Sequence, residues 1–86
     1  MTAPGMRVNV KLFAQLRDKA GTGDIAVTVA GEATVREVWQ EMVAGHPQLA
    51  PFESSVSCAI NATYARMHTQ VKAGDEVAFL PPVSGG

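Results

Sequence analysis

The stretch "TVREVWQEMVAGHP", residues 34–47, decides the architecture, because no other segment carries a helical period of comparable length. Thr34 followed three residues later by Glu37 is a capping box, in which side chains and backbone donors at a helix start satisfy one another. Val35, Val38, Trp39, Met42 and Val43 then fall on one helical face. Gly45 and Pro47 stop the helix. Trp39 belongs to the apolar face, so it is expected in the core.

Working outward toward the N-terminus, two strand patterns precede this helix. Val8, Val10 and Leu12 alternate with Arg7, Asn9 and Lys11, and "DIAVTV" repeats the alternation with Ile25, Val27 and Val29. Such period-two runs predict strands with one buried face. Between them "AQLRDKAG" reads as a short helix closed by Gly21, a residue suited to the left-handed conformation of a helix end. The "GTG" at Gly21–Gly23 lacks the third glycine of a phosphate-binding loop and reads as a turn.

On the C-terminal side a loop rich in Pro, Gln, Glu and Ser leads to "SCAINATYARM", read as two short strands about a turn at Asn61 and Ala62. "KAGDE" is a further turn. "EVAFL" is the last strand, after which Pro81 and Pro82 lack the N–H that a ladder needs. The order strand, strand, helix, strand, strand, strand predicts an α+β fold of the β-grasp type. It would hold a mixed sheet of about five strands, one main helix on one face and a short helix after strand one. Residues 1–5 are expected to be a disordered leader, 6–80 the domain, and 81–86 an extended tail.

At 86 residues the chain can bury one small core and not two. A net charge of −1 with 17% charged residues provides no basic field for phosphate backbones, so nucleic acid is not an expected partner. The start "MTAPGM" lacks the features of a secretory signal, and no apolar run reaches the length of a membrane span. A cytoplasmic location and no membrane partner are therefore expected. Cys58 is the single cysteine, which removes a disulfide framework or a Cys-rich metal site. No motif joins His46 or His68 to Cys58 or to a serine, so the expected roles are a buried thiol and two surface imidazoles rather than a catalytic pair. No cofactor or metal is expected to be bound by the chain. The "NAT" at Asn61 matches a glycosylation sequon, and without a signal peptide the match is read as accidental.

The tail "FLPPVSGG", residues 79–86, carries the chemistry. Two terminal glycines can lie extended in a channel too narrow for a Cβ, leaving the α-carboxylate unhindered. A carboxylate is a poor electrophile, so reaction there requires prior activation by another protein. Pro81 and Pro82 fix φ and lower the entropy lost on threading into a partner. Parity along the strands adds a second feature. Phe13 falls with Arg7, Asn9 and Lys11 on the polar side of strand one. If Phe79 points inward with Val77, Leu80 points out, and Tyr64 joins them. Large apolar groups on the outer face near the tail suggest a docking patch.

The residues "NVKLFAQLRDKAG", "AIN" and "GDEVAFLPPVSGG" resemble the ubiquitin-like sulfur carriers of the MoaD/ThiS type, and within them the small subunits of molybdopterin synthase. The resemblance runs from Met6 to Gly86. Departures are the leader, Ser84 in place of the usual Thr, and Tyr64 in place of an aliphatic residue. It implies that Gly86 is adenylated by an E1-like adenylyltransferase using ATP, then converted to a thiocarboxylate with sulfur from a donor such as a cysteine desulfurase. It implies further that Ser84, Gly85 and Gly86 insert into the molybdopterin synthase large subunit, where the sulfur builds the dithiolene from cyclic pyranopterin monophosphate. The assembly would be a heterotetramer. Phe13, Tyr64 and Leu80 match the family's hydrophobic contact surface, with Arg17 as a polar contact beside it. The chain would be a sulfur donor and co-substrate, not catalytic alone. Alternatives are a carrier for thiazole, cysteine or tRNA thiolation, a conjugating modifier, or a non-covalent β-grasp interaction module.

Overall fold

A computed structural model describes residues 5–82. The first strand, β1 (Met6–Leu12), leads through Phe13 into helix α1 (Ala14–Ala20), and β2 (Asp24–Val29) returns antiparallel to β1. Helix α2 (Val35–Gly45) follows, then β3 (Ser57–Ile60), β4 (Thr63–Ala65) and β5 (Glu76–Leu80). The five strands form one sheet in the order β2-β1-β5-β3-β4, with β5 parallel to β1 and the other pairs antiparallel. This is the mixed sheet and single main helix of the β-grasp expectation.

The core lies between one sheet face and α2. Val8, Val10, Leu12, Val77 and Phe79 from the central strands meet Val35, Val38, Trp39 and Met42 from the helix, all buried. Trp39 packs edge-on against Phe79 with ring centroids 4.9 Å apart, a geometry that places a positive ring edge on a negative ring face. Phe79 thus takes the inward position that turns Leu80 to the other face.

The start of α2 accounts for its donors. Thr34 N–H donates to Glu37 Oε1 at 3.2 Å within the expected capping box. The next two amides donate outside the helix: Val35 to the Thr69 carbonyl and Arg36 to the Met67 carbonyl, each at 2.9 Å. Helix starts leave such amides unsatisfied, so the connection from β4 to β5 is held by them. Val71 N–H donates to the Ala33 carbonyl at 2.9 Å, and its side chain is buried. No residue pattern in the connection signals this role.

The segment after α2 differs from expectation. It is a 3-10 helix, Pro47–Phe52, rather than an irregular loop. Pro47 fits a first helical turn, while Pro51 removes a donor and prevents propagation as an α-helix. Leu49, fully buried, anchors the segment to the core.

The β3–β4 hairpin closes through Asn61 and Ala62, with φ of 50° and 70°. Two positive φ values are the demand of the tight turn that matches strand twist, and Ala bears a Cβ penalty there that Gly does not. Asn61 offsets its own strain: it accepts from Glu76 N–H at 3.0 Å and donates to Asp75 Oδ1 at 3.0 Å, tying the turn to the start of β5. Ala62→Gly is expected to stabilise the fold by about 0.5–1 kcal/mol, the left-handed penalty less the entropy of glycine, in urea unfolding at unchanged m-value.

Candidate functional site

The strand registers assemble the outer sheet face residue by residue. Lys11 pairs with Ala78, Ala78 with Ala59, and Ala59 with Tyr64, which makes one row across four strands. The next row holds Leu80 beside Ser57, and the parallel register continued past Leu12 and Phe79 sets Phe13 beside Leu80. Phe13 keeps extended backbone angles of −128° and 154°, so it completes strand parity before the helix begins. The result is an apolar strip of Phe13, Leu80, Ala78, Ala59 and Tyr64 on the face opposite the core.

Exposure differs along this strip. Tyr64 is 82% exposed and Phe13 47% exposed, while Leu80 is half-buried. The structure therefore sets Phe13 beside Leu80, the two residues that sequence parity turned outward, and places Tyr64 on the same face two strands away from Leu80. Ala14, between Phe13 and the body of α1, has φ of 50°. A residue with a Cβ costs about 1–2 kcal/mol there, and this strain marks the corner that presents Phe13.

A charged pair borders the strip. Lys11 donates to Asp24 Oδ1 across the β1–β2 pair, and this hydrogen bond, with the attraction of the same carboxylate, holds the Lys11 ammonium above its ordinary pKa. The pair lies at the Ala78 end of the row, opposite Tyr64. Arg17, one helical turn after Phe13, lies over Gly23, where an added Cβ would come within 3.3 Å of Arg17 Cδ. Gly23 leaves the room for that side chain.

The tail leaves from the same end of the sheet. Leu80 ends β5, Pro81 is half-buried and Pro82 is exposed. Ser84, Gly85 and Gly86 lie outside the described residues, as do residues 1–4 of the leader. Gly5 is exposed beside Thr28.

The remaining chemical candidates sort differently. Cys58 is buried in β3 and its thiol donates to the Ala65 carbonyl at 3.3 Å. Burial raises its pKa. A folded-state pKa above that of the unfolded thiol means that folding is favoured below the unfolded value and loses this contribution as pH rises toward the folded one. Thiol reagents are expected to label Cys58 more slowly than a free cysteine at pH 8, with labelling accelerating on unfolding. Labelling at the rate of glutathione would contradict its burial. His68 is exposed, as a surface imidazole should be, but His46 is half-buried, with Nδ1 3.4 Å from the Met42 carbonyl at the end of α2. That placement corrects the surface expectation: His46 closes a helix end whose carbonyls need partners. Among the described residues no group of three or more His, Cys, Asp or Glu side chains could hold a metal ion, and no helix is long and apolar enough to cross a membrane.

Comparison with known proteins matches this arrangement to one family. The ThiS family profile matches residues 10–86. The molybdopterin synthase sulfur carrier subunit of Escherichia coli is 37% identical over 81 residues, covering 92% of this chain and 99% of the relative. The crystal structure of SAMP1 from Haloferax volcanii superposes with a TM-score of 0.84 at 34% identity, over 93% of this chain and 99% of that one. A protein–protein complex of subunits 1 and 2 of the molybdopterin-converting factor from Helicobacter pylori contains a chain of the same fold, with a TM-score of 0.63 and 22% identity over 94% and 100% of the two chains. The chain, with its β-grasp sheet and a family match that runs through Gly86, belongs to the ThiS family of ubiquitin-like sulfur carriers.

Proposed function

We propose that the chain is the sulfur-donor subunit of a molybdopterin synthase, with the Gly86 carboxylate as the group that carries sulfur. The observation that carries this reading is the 37% identity to the Escherichia coli carrier subunit, which extends over nearly the full length of both chains. An E1-like adenylyltransferase joins the Gly86 carboxylate to AMP from ATP, releasing pyrophosphate. The terminal sulfur of a persulfide on a donor such as a cysteine desulfurase displaces AMP to give an acyl disulfide, and a thiol then cleaves the S–S bond, leaving the Gly86 thiocarboxylate and a disulfide on the donor. The sulfur atom is then nucleophilic: it replaces an oxygen substituent on a side-chain carbon of cyclic pyranopterin monophosphate, and water cleaves the acyl–sulfur bond, leaving one dithiolene sulfur on the pterin and the Gly86 carboxylate free. The cationic groups that a phosphate substrate and a departing carboxylate require come from the large subunit.

The apolar strip supplies the docking half of this proposal. Phe13, Leu80 and Tyr64 bury their exposed surface against the large subunit, with Arg17 as a polar contact at the rim, while Ser84, Gly85 and Gly86 thread into its active site. Apolar groups beside the root of the tail give affinity where it also sets register. Two such chains on a dimer of large subunits make the heterotetramer. The test is reconstitution: two equivalents of the thiocarboxylated chain per pyranopterin precursor, one for each dithiolene sulfur, should yield molybdopterin with a large subunit and no further sulfur source. Sulfur loading without product would move the chain to another sulfur pathway.

A second reading draws on the likeness to the small archaeal modifier protein 1. In it the activated Gly86 carboxylate meets an amine and forms an amide with another protein. Loss of the adenylate to a lysine-containing acceptor, with no thiocarboxylate formed, is the outcome that favours it.

A further inference from the structure

The edge strand β2 carries a binding surface separate from the apolar strip. In an antiparallel pair, residues alternate between those bonded to the neighbour and those whose backbone groups face away. Leu12 N–H donates to the Gly23 carbonyl at 3.0 Å, which sets the phase: Ile25, Val27 and Val29 face β1, and Asp24, Ala26 and Thr28 face outward. The side-chain hydrogen bonds agree. Thr22 Oγ1 accepts from Asp24 N–H at 3.2 Å and donates to the Asp24 carbonyl at 3.1 Å, so one outward residue is capped by its own chain. Ala26 and Thr28 have no such cap among the described residues, and their N–H and C=O groups form an open strand edge.

A groove runs along this edge, between β2 and α2. It consists of two clefts, of about 450 and 270 Å³, that share Thr28 and Glu41. Ile25, Val27 and Met42 line the second cleft, with His46 at its end. Glu37 and Gln40 line the first. The charge facing the groove from α2 is therefore acidic. The nearby cations are engaged or turned elsewhere: Arg36 Nη1 pairs with Glu53 Oε2 at 3.3 Å, Lys11 pairs with Asp24, and Arg7, in register with Thr28, lies on the opposite sheet face.

We propose that this groove binds an extended, basic segment of a partner protein, which adds to the sheet as a sixth strand on Ala26 and Thr28. Alternate residues of the added strand face α2, so two Lys or Arg side chains separated by one residue would enter the two clefts. Their stems lie on the apolar floor and their charged ends reach Glu41 and Glu37, the arrangement favoured for long basic side chains. A second copy of this chain is the wrong occupant, because pairing β2 with β2 would bring the acidic α2 faces together. The groove lies at the sheet edge remote from Tyr64, so occupancy is compatible with docking through the apolar strip.

The test uses the whole chain and a fluorescent acetyl-VKTRV-amide peptide, with acetyl-VETEV-amide as the charge-reversed control, followed by anisotropy and by amide shifts of Ala26 and Thr28. The basic peptide should bind at least about tenfold more tightly than the control, with a loss of affinity in added salt. Ala26→Pro removes an outward N–H without touching the bonds to β1, as edge positions permit, and should lower affinity by roughly tenfold or more. Glu41→Lys should do the same, and it decides alone if the circular dichroism of Ala26→Pro is not native. Sulfur loading of Gly86 should be unchanged in both variants. Equal binding of the two peptides, no binding of either, or full affinity in Glu41→Lys would overturn the proposal. So would a dimer broken by Ala26→Pro, or binding that appears only after removal of residues 1–4, since these name the occupant as a second copy or the chain's own N-terminal segment.

Discussion

A chain that ends at Gly85, or one extended by a single residue past Gly86, is expected to lose sulfur transfer by at least about a thousandfold while unfolding at the same urea concentration as the parent. One residue of extended backbone moves the terminal carboxylate by about 3.5 Å, and misplacement of a reacting group by even 1 Å costs on the order of a hundredfold. Among the described residues the buried cluster ends at Phe79, so the stability of the core is expected to be unchanged. The measurement is a single-turnover assay of sulfur delivery alongside urea unfolding. Retained transfer in either variant would place the reactive group somewhere other than Gly86.

Leu80→Asp is expected to weaken docking on the large subunit by roughly thirtyfold, about 2 kcal/mol, with a change in fold stability of about 1 kcal/mol or less. The side chain lies on the outer face beside Ser57, in the strip with Phe13, so an aspartate there meets water in the free chain and an apolar surface in the complex. Phe13→Asp should act in the same direction. A substitution at Thr28, on the same face but at the far edge of the sheet, should leave docking unchanged. Calorimetric titration of each variant into the large subunit decides the matter, and unaltered affinity for Leu80→Asp would remove that residue from the interface.

The parts of the fold legible in the sequence are those whose signal is local. The capping box at Thr34 and Glu37 fixes where α2 begins, and the alternation in β1 and β5 fixes which side chains meet it. From that parity alone Phe79 could be turned inward and Leu80 outward, and the registers place both so. The 3-10 helix at Pro47–Phe52 was not legible, because one buried Leu49 gives no period and two prolines read as loop. The seating of Met67 and Thr69 carbonyls on the first amides of α2 was hidden for another reason: backbone atoms make those bonds, and every residue type offers the same ones. The open edge at Ala26 and Thr28 escapes sequence reading likewise. It follows from which residues β1 pairs with, and alternation cannot tell an edge strand from a central one.

Of the candidate site, the outward direction of Phe13 and Leu80 followed from parity, whereas the closeness of the two required the parallel pairing of β1 with β5. That pairing joins residues far apart in the chain through α2, β3 and β4, and only the assembled sheet reveals it. The Lys11–Asp24 pair bordering the strip arises in the same way from the β1–β2 register.

The intact mass of the chain after incubation with an activating enzyme, ATP and a sulfur source reports directly on whether Gly86 carries sulfur. The expected result is a gain equal to the replacement of one oxygen by sulfur, confined to the C-terminal peptide and absent when Gly86 is deleted. An unchanged mass, under conditions that load a known carrier in the same tube, would contradict it.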